Sequence, residues 1–211
     1  AALQEQLLTD ISATDLSSYA AASWFRTSPN RFLVSLAVIV PGNQLPFGAR
    51  TSKNASSIDI LGVVEDAAKH PMARIRDTLH VDSNTDDFKK KLVQYGTSVE
   101  LEPGRYRFKV VLRENQNGTF GSYEMPIIVP QFGPDLIKMS SVVVGTQLQP
   151  GPQRGSNPLV IDGRRLVPNV THVVSQGQPL YFFYEIYDPS TGLPGGDATD
   201  EYPDVEQEDL A

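Results

Sequence analysis

The chain has 211 residues, with 16 glycines, 16 prolines and no cysteine, so disulfides, thiolate metal sites and cysteine nucleophiles are excluded. It contains no run of apolar residues long enough to span a membrane as a helix. The net charge of −7 is unevenly distributed, because nine acidic residues and no Lys or Arg follow Arg165. The sequence lacks the basic patch interleaved with aromatic residues that would indicate nucleic-acid binding.

Helical patterns are scarce. Residues 1–14 are predicted as an N-terminal segment in which residues 2–9 form one or two amphipathic helical turns. The start of the chain is neither basic nor apolar enough for a signal peptide, so we expect either a removed signal or an internal piece of a longer protein. Residues 85–95, TDDFKKKLVQY, carry a second and weaker helical pattern.

Strand patterns dominate from residue 15 onward. Segment 31–40, RFLVSLAVIV, is apolar on both alternating faces, which predicts a central strand covered on both sides. Segment 73–81 alternates between apolar and polar residues, as in a strand with one buried face. The remaining strands of an all-β fold are predicted at 17–25, 57–66, 92–101, 105–113 and 120–129. Seven short strands predict a β-sandwich of immunoglobulin or fibronectin type III type over residues 15–130.

Two turns accompany this sandwich pattern. The stretch LEPGRY resembles the tyrosine corner of fibronectin-like domains, in which a tyrosine hydroxyl bonds to the upstream backbone. Pro103 and Gly104 would turn the chain there, and Tyr106 is predicted to be structural. Asn117 and Gly118 are predicted to form a left-handed hairpin turn after the following strand.

A smaller β-rich segment is predicted over residues 131–189. Because a lone sheet of that size is marginally stable, we expect the segment to pack against the sandwich. Its predicted parts are a strand at 136–145, a polar loop with three prolines at 147–158, a hairpin around Asp162-Gly163 and an aromatic strand at 178–189. Residues 190–211 are acidic and poor in apolar residues, which predicts a flexible tail.

No catalytic constellation is evident. The three histidines, His70, His80 and His172, include no pair at metal-ligand spacing, and no G-x-S-x-G elbow occurs. Two carboxylate pairs, Glu65-Asp66 and Glu100 with Glu102, could serve a glycosidase, although surface carboxylates at strand ends are far more common. The sequence therefore predicts that the protein is not an enzyme.

A calcium loop is a metal site that the sequence leaves open, and calcium at Asp188, Asp197 and Asp200 is similarly conceivable and similarly unsupported. In DSNTDD, Asp82, Asn84 and Asp86 supply alternating oxygen ligands, like the start of an EF-hand loop. The places that need Gly and Glu hold Asp87 and Val93 instead. A solvated loop is the preferred interpretation, so no cofactor is predicted and calcium stays the alternative.

Five blocks of the sequence resemble the C-terminal β-rich region of the von Willebrand factor A-related proteins of Acidobacteria. In chain order they are RFLVSLAVIVPG, LEPGRYRFKVVLRENQNGTFGS, SSVVVG, PLVIDGRRLVPNV and QPLYFFYEIYDP, and the resemblance covers residues 10–189. It implies an exported interaction protein and carries over no catalytic residue. The A domain itself is missing: Asp10, Ser12 and Thr14 imitate its D-x-S-x-S metal motif, but without a preceding apolar strand a turn or helix cap is expected.

The predicted function is a non-catalytic binding or scaffolding module outside the cytoplasm that acts through protein–protein contacts. The contacts would come from inter-strand loops or from a sheet edge that accepts a partner strand. The loop candidates are 42–56 with Phe47 and Arg50, 82–91, and 147–157 with Arg154.

Two alternatives remain open. A structural subunit of a surface assembly or filament would pair either an N-terminal segment or the 179–187 strand with a neighbouring copy. A glycan-binding accessory domain of an exported enzyme would use Trp24, Phe25 and Tyr19 as a stacking platform, although a lone tryptophan in a strand is usually core and Trp24 is predicted to be structural.

Overall fold

Seven long strands form two antiparallel sheets in the structure, a computed structural model that describes residues 2–9, 11–46, 55–82, 90–133, 137–151 and 157–188. The strands are β1 Tyr19–Ser28, β2 Arg31–Pro41, β3 Ala55–Asp66, β4 Pro71–Asp82, β5 Leu92–Leu101, β6 Gly104–Glu114 and β7 Phe120–Val129. One sheet has the order β1-β2-β5 and the other the order β4-β3-β6-β7. The predicted all-β sandwich is confirmed, because the inward faces of both sheets share one apolar core.

Strand β2 is central and buried on both faces. Phe32, Val34 and Leu36 on its inward face lie in the shared core. Leu33 and Ile39 on its outward face are equally buried, at 5% and 1% exposure. The apolar side chains on both faces of β2 therefore follow from its place between two packed layers.

The first residues run along the sandwich. Helix α1, Ala2–Leu8, contacts the outer face of β6 and β3, and the Lys109 ammonium group donates a hydrogen bond to the Thr9 carbonyl just after the helix. Residues 13–16 then pair with the outer edge of β7: Leu16 N donates to Phe120 O at 2.9 Å and Ser122 N to Ala13 O at 2.9 Å. This strap, residues 13–16, occupies backbone groups that an edge strand would otherwise expose.

The strand at 92–101 corrects the weak helical alternative at 85–95. Residues 92–95 belong to β5 and pair with β2, with Val93 opposite Val40 and Tyr95 opposite Val38. The long-range ladder outweighs the weak local helical preference of this stretch. Residues 83–89 lie outside the described part of the chain.

Tyr106 makes the bond of a tyrosine corner. Its hydroxyl donates to Glu102 O at 2.9 Å, across the turn made by Pro103 and Gly104. A Cβ atom at Gly104 would lie 3.0 Å from the Tyr106 hydroxyl, so the ring needs the space that glycine leaves. Trp24 is half-buried, with its ring edge-on to Phe32 at 5.7 Å and to Phe132 at 5.8 Å.

The β6–β7 turn differs from the prediction. Of Asn117 and Gly118, only Gly118 has a positive φ, at 71°. Gly118 N donates to Glu114 O, and Glu114 N donates to Thr119 O, which makes a loop with one left-handed residue at its end. The difference arises because Glu114 holds the loop: its carboxylate accepts from Gln116 N at 2.8 Å and Asn117 N at 2.7 Å.

A second β-rich segment follows, with short strands in place of the long ones that were predicted. They are β8 Lys138–Met139, β9 Val143–Gly145, β10 Gln147–Pro150, β11 Val160–Ile161, β12 Arg164–Val167, β13 Tyr181–Phe183 and β14 Ile186–Tyr187. Strands β8 and β9 pair with β14 and β13 as one interrupted antiparallel ribbon, residues 138–145 and 181–187. The described part of the chain includes no helix with the length and hydrophobicity of a membrane-spanning segment.

The ribbon is interrupted at Ser140 and Ser141, because Glu185 bonds to the side chain of Ser140 and Ser141 bonds to β1. Glu185 N donates to the Ser140 hydroxyl at 2.8 Å, in place of a regular ladder bond. Ser141 N donates to Trp24 O, and the Ser141 hydroxyl accepts from Trp24 N at 2.9 Å. The two predicted strands at 136–145 and 178–189 therefore break where the ribbon bonds to the edge of β1.

Strand β10 corrects the predicted polar loop at 147–158. It pairs with β12, and the Arg165 guanidinium donates to Gln149 Oε1 at 3.0 Å. Its four residues, QLQP, alternate too briefly to identify a strand and end in proline, so only the pairing with β12 reveals it. The hairpin around Asp162 and Gly163 is present, and φ values of 50° and 70° at these residues fit a type I′ turn.

The second segment packs on the outer face of the β1-β2-β5 sheet. A small core joins Phe25 of β1 to Val143, Leu159 and Leu166 of the segment, and Phe183 packs against it. The Phe25 and Phe183 rings lie 5.5 Å apart. This contact covers the outward face of the sheet beside Leu33, which is opposite Phe25 in register.

Candidate functional site

The residues singled out as loop or metal candidates mostly lie outside the described ranges. Phe47, Arg50 and Arg154 do so, and so do Asn84 and Asp86. Asp82 ends strand β4. Two of the candidate loops are partly regular structure, because residues 42–44 form a 3₁₀ helix and 147–150 form β10.

The titratable side chains of the sandwich are engaged in local contacts. The Glu65 carboxylate accepts from Arg107 at 2.8 Å, and Glu100 lies 3.5 Å from Arg31. Backbone N–H donation from His70 lowers the pKa of Asp66, which caps the β3–β4 turn. Within the described ranges, no group of three or more His, Asp or Glu residues is arranged to hold a metal ion.

The ribbon carries apolar side chains on both faces. On its inward face, Val143 is buried, Phe183 packs on Phe25, and the Tyr187 ring lies 5.6 Å from that of Phe132. On its outward face seven large apolar side chains are exposed: Ile137, Met139, Val142, Leu180, Phe182, Tyr184 and Ile186. We call these seven residues the outward face.

The outward face is organised rather than scattered. The Phe182 and Tyr184 rings stack with their planes 8° apart and their centres 6.2 Å apart. Ile186 lies opposite Met139 in the ribbon, so both strands contribute to one surface. Phe182 is 64% exposed and Ile186 62%, although both side chains are large and apolar. An exposed apolar surface of this kind is a candidate interaction site.

A groove runs along the free edge of β13. Three consecutive residues, Tyr181, Phe182 and Phe183, line one side of it, and its volume is about 590 Å³. Because successive strand residues point to opposite faces, a groove that reaches all three must follow the edge of the strand. The opposite wall and ends are formed by Leu148, Leu159, Ile161, Asp162, Arg164 and Leu166. We call this space the β13 groove.

The backbone of β13 is available on that side. β13 belongs to a two-stranded sheet with β9 as its neighbour, so within the described ranges its other edge has no partner strand. Beyond β9 the ribbon is closed, because Asn169 N donates to Val144 O at 2.8 Å. An extended segment placed in the β13 groove would meet unpaired backbone groups on one side and apolar side chains on the other.

A polar junction fixes the far end of the ribbon. The Tyr187 hydroxyl accepts from Arg26 N at 2.7 Å and donates to the Glu185 carboxylate at 2.6 Å. Burial raises the pKa of Glu185, and burial together with the Glu185 contact raises the pKa of Tyr187. The Tyr187 hydroxyl therefore anchors the ribbon to the edge of β1 through hydrogen bonds that are partly shielded from solvent.

The sequence carried a signal for this surface. The run YFFYEIY at 181–187 is apolar at nearly every position, as is β2, and such a run predicts a strand covered on both sides. In the structure β2 is covered on both sides, whereas the ribbon is covered on one. The wall of the groove gives no such signal, because Leu148 and Ile161 belong to two separate short strands rather than to one apolar run.

Comparison with known proteins identifies no family for this chain. No family model and no curated protein matches the chain. Among solved structures, the Northeast Structural Genomics Consortium target SoR45 aligns with TM-score 0.36 and 11% identity, over 56% of this chain and 89% of that one. A glycosyl hydrolase family 2 member from Bacteroides cellulosilyticus aligns with TM-score 0.38 and 16% identity, over 56% of this chain and 15% of that one. A β-glucuronidase of the same family aligns with TM-score 0.36 and 12% identity, over 53% of this chain and 11% of that one.

Proposed function

We propose that the chain is a non-catalytic binding module that acts outside the cytoplasm through protein–protein contacts. Its binding site is the β13 groove, where an extended segment of a protein partner adds to the free edge of β13. The observation that carries this proposal is the coincidence of a strand edge that has no partner among the described residues with a mainly apolar groove of about 590 Å³. Main-chain bonds to β13 would supply affinity, and the apolar wall would select the alternate side chains of the partner.

The extracytoplasmic location is supported by the resemblance to exported von Willebrand factor A-related proteins. The open reading frame around this sequence tests it, since an upstream signal peptide and A domain are expected. A glycan-binding role receives less support, because Trp24 is half-buried and packs against the main core in contact with Phe32 and Phe132.

A selection with displayed peptides tests the binding function. A phage library of random extended peptides is selected on the wild-type chain, on Phe182→Asp and on Ile128→Asp. Ile128 is a matched control, because it is an exposed apolar strand residue on β7, away from the groove. Wild type and Ile128→Asp should enrich peptides with alternating apolar residues, and Phe182→Asp should bind the enriched peptides roughly tenfold more weakly or worse. Equal binding to all three proteins, or no enrichment on any, would contradict the proposal.

A further inference from the structure

We infer that a second cleft, separate from the β13 groove, binds a small carboxylate that also carries hydroxyl groups. This cleft lies between the β10-β12-β11 sheet and the outer face of strands β2 and β5, and its volume is about 380 Å³. We call this space the polar cleft. Because it is a different site, the inference does not depend on the function proposed for the β13 groove.

The β10-β12-β11 sheet has two unlike faces, and each face borders one of the two spaces. Leu148 and Leu166 are opposite each other in β10 and β12 and line the β13 groove, although Leu166 also borders the polar cleft. Gln149 and Arg165, the next pair along the two strands, line the polar cleft. Since successive strand residues point to opposite faces, the apolar face serves the groove and the polar face serves the cleft.

The floor of the polar cleft is made of small side chains. In the register of β2 and β5, Ser35 is opposite Ser98 and Ala37 is opposite Gly96, and all four residues line the cleft. A Cβ atom at Gly96 would meet no atom within 4 Å beyond its chain neighbours. Packed protein layers normally leave few voids larger than a water molecule, whereas ligand sites have volumes of about 300–1,000 Å³. The polar cleft therefore has the size of a small-molecule site.

The side chains that line the polar cleft favour a ligand with hydroxyl groups. Amides and hydroxyls can each donate and accept hydrogen bonds, as sugar-like hydroxyls require. None of the described residues that line the cleft is Asp or Glu, although the chain has 25 acidic residues. The cleft therefore has no carboxylate to attract a cationic ligand. Its amide and hydroxyl residues include Ser35, Gln94, Ser98, Gln149 and Asn157.

Arg165 gives the polar cleft its preference for a carboxylate. It is the one charged residue among the described residues that line the cleft, and it is exposed, so a ligand can reach it. Its guanidinium group donates to Gln149 Oε1 at 3.0 Å, which holds the side chain beside the polar face. That bond uses one of the five N–H donors of the group. A guanidinium group can bind a carboxylate through two parallel hydrogen bonds.

An NMR titration of the isotope-labelled full chain with gluconate, sorbitol and glucamine tests the inference. These six-carbon polyols differ only at one end, which is a carboxylate, a neutral hydroxyl or an ammonium group, and ionic strength is held constant. Gluconate should bind saturably with a dissociation constant of roughly 1 mM, the strength expected for a ligand of about 13 non-hydrogen atoms. Sorbitol should bind roughly fivefold more weakly, and glucamine more weakly still. A chain with a net charge of −7 would give the reverse order through non-specific attraction alone.

Three variants locate the binding. Arg165→Gln should weaken gluconate binding roughly tenfold and leave sorbitol binding unchanged. Arg164→Gln removes the same charge from a residue that lines the β13 groove, so it should match the wild type. Gly96→Leu should fill the polar cleft and abolish binding while the melting temperature stays close to that of the wild type.

The amide signals that shift on titration with gluconate should include those of Gly96 and Gln149. Equal binding of the three polyols, no saturable shift far above millimolar concentration, or equal loss in Arg165→Gln and Arg164→Gln would overturn the inference. Selection of peptides by the β13 groove is measured separately, so a failure of the polar cleft leaves the proposed binding function standing.

Discussion

Glu114 is a buried carboxylate that acts in folding rather than in chemistry. Its side chain is fully buried and accepts hydrogen bonds from the Ser56 hydroxyl at 3.0 Å and from the two turn N–H groups of Gln116 and Asn117. Glu114 continues the row of inward side chains of β6 that begins with Tyr106 and Phe108, so the alternation of the strand already predicts that this carboxylate points into the core. A charged side chain in that position must have hydrogen-bond partners.

We expect Glu114→Ala to destabilise the fold by about 2–3 kcal/mol, because it leaves three donors without their acceptor. Urea unfolding of the variant measures the loss. Glu124→Ala is the control, because Glu124 is more exposed and pairs with Arg107 on the surface, where ion pairs contribute about 0–1 kcal/mol. Equal losses in the two variants would contradict a special role for Glu114.

The tyrosine corner rests on a single hydroxyl group, that of Tyr106. Tyr106→Phe removes one hydroxyl that donates to Glu102 O and keeps the ring. The expected cost is about 1 kcal/mol, the usual net value of a hydrogen bond. Tyr123→Phe, on the neighbouring strand β7, is the comparison. A Tyr106→Phe chain as stable as the wild type would show that the bond to Glu102 is dispensable.

At the scale of elements, local pattern predicts the sandwich strands and fails for the ribbon. All seven strands of the sandwich were predicted within a few residues, because each has enough period-two alternation or apolar continuity to identify it alone. The breaks at Ser140–Val142 and at Tyr184–Glu185 depend on bonds to β1, a strand more than 100 residues away. Only part of the candidate site could be predicted from the sequence. The apolar run at 181–187 predicts the strand β13, whereas the groove beside it forms only when β10, β11 and β12 pack near that strand.

The junction at Glu185 makes the ribbon sensitive to pH. Burial raises the folded-state pKa of Glu185 above its ordinary value of 4.5, so the folded chain holds this proton more tightly than the unfolded chain. The contribution of Glu185 to stability is therefore greatest at low pH and falls as pH rises from 4.5 through the raised pKa. Glu185→Gln keeps an acceptor for the Tyr187 hydroxyl and removes this titration.

Thermal unfolding between pH 4 and pH 7 measures the effect. The melting temperature of Glu185→Gln should gain on that of the wild type as pH rises and exceed it at pH 7. Glu5→Gln, on the exposed side of α1, serves as the control and should follow the wild type throughout. A constant difference between Glu185→Gln and the wild type across this range would show that Glu185 is not the titrating group.

At the scale of the whole molecule, two hydrophobic cores of unequal size stabilise different parts of the chain. The larger core lies between the two sheets, and the smaller one joins Phe25 to Val143, Leu159 and Leu166. Since the smaller core holds the second segment on the sandwich, its loss should open that segment before the sandwich unfolds.

Phe25→Ala tests this division, with Phe108→Ala as its counterpart in the larger core. Both rings are almost completely buried, at 0% and 1% exposure, and either truncation should cost about 3–5 kcal/mol. Hydrogen exchange should accelerate mainly in β9 and β13 for Phe25→Ala, and across both sheets for Phe108→Ala. Uniform acceleration in both variants would indicate one cooperative unit instead.

The strap at residues 13–16 has a consequence for which changes the chain tolerates. It approaches β7 so closely that a Cβ atom at Gly121 would lie 2.1 Å from the Leu16 carbonyl oxygen, although the φ of Gly121 is outside the left-handed region. In a pool of random variants, folded chains should therefore retain glycine at position 121, because a side chain would clash with the Leu16 carbonyl and not because the backbone needs a positive φ. A larger residue at 121 would require residues 13–16 to detach from β7, so substitutions at Gly121 and in the strap should occur together.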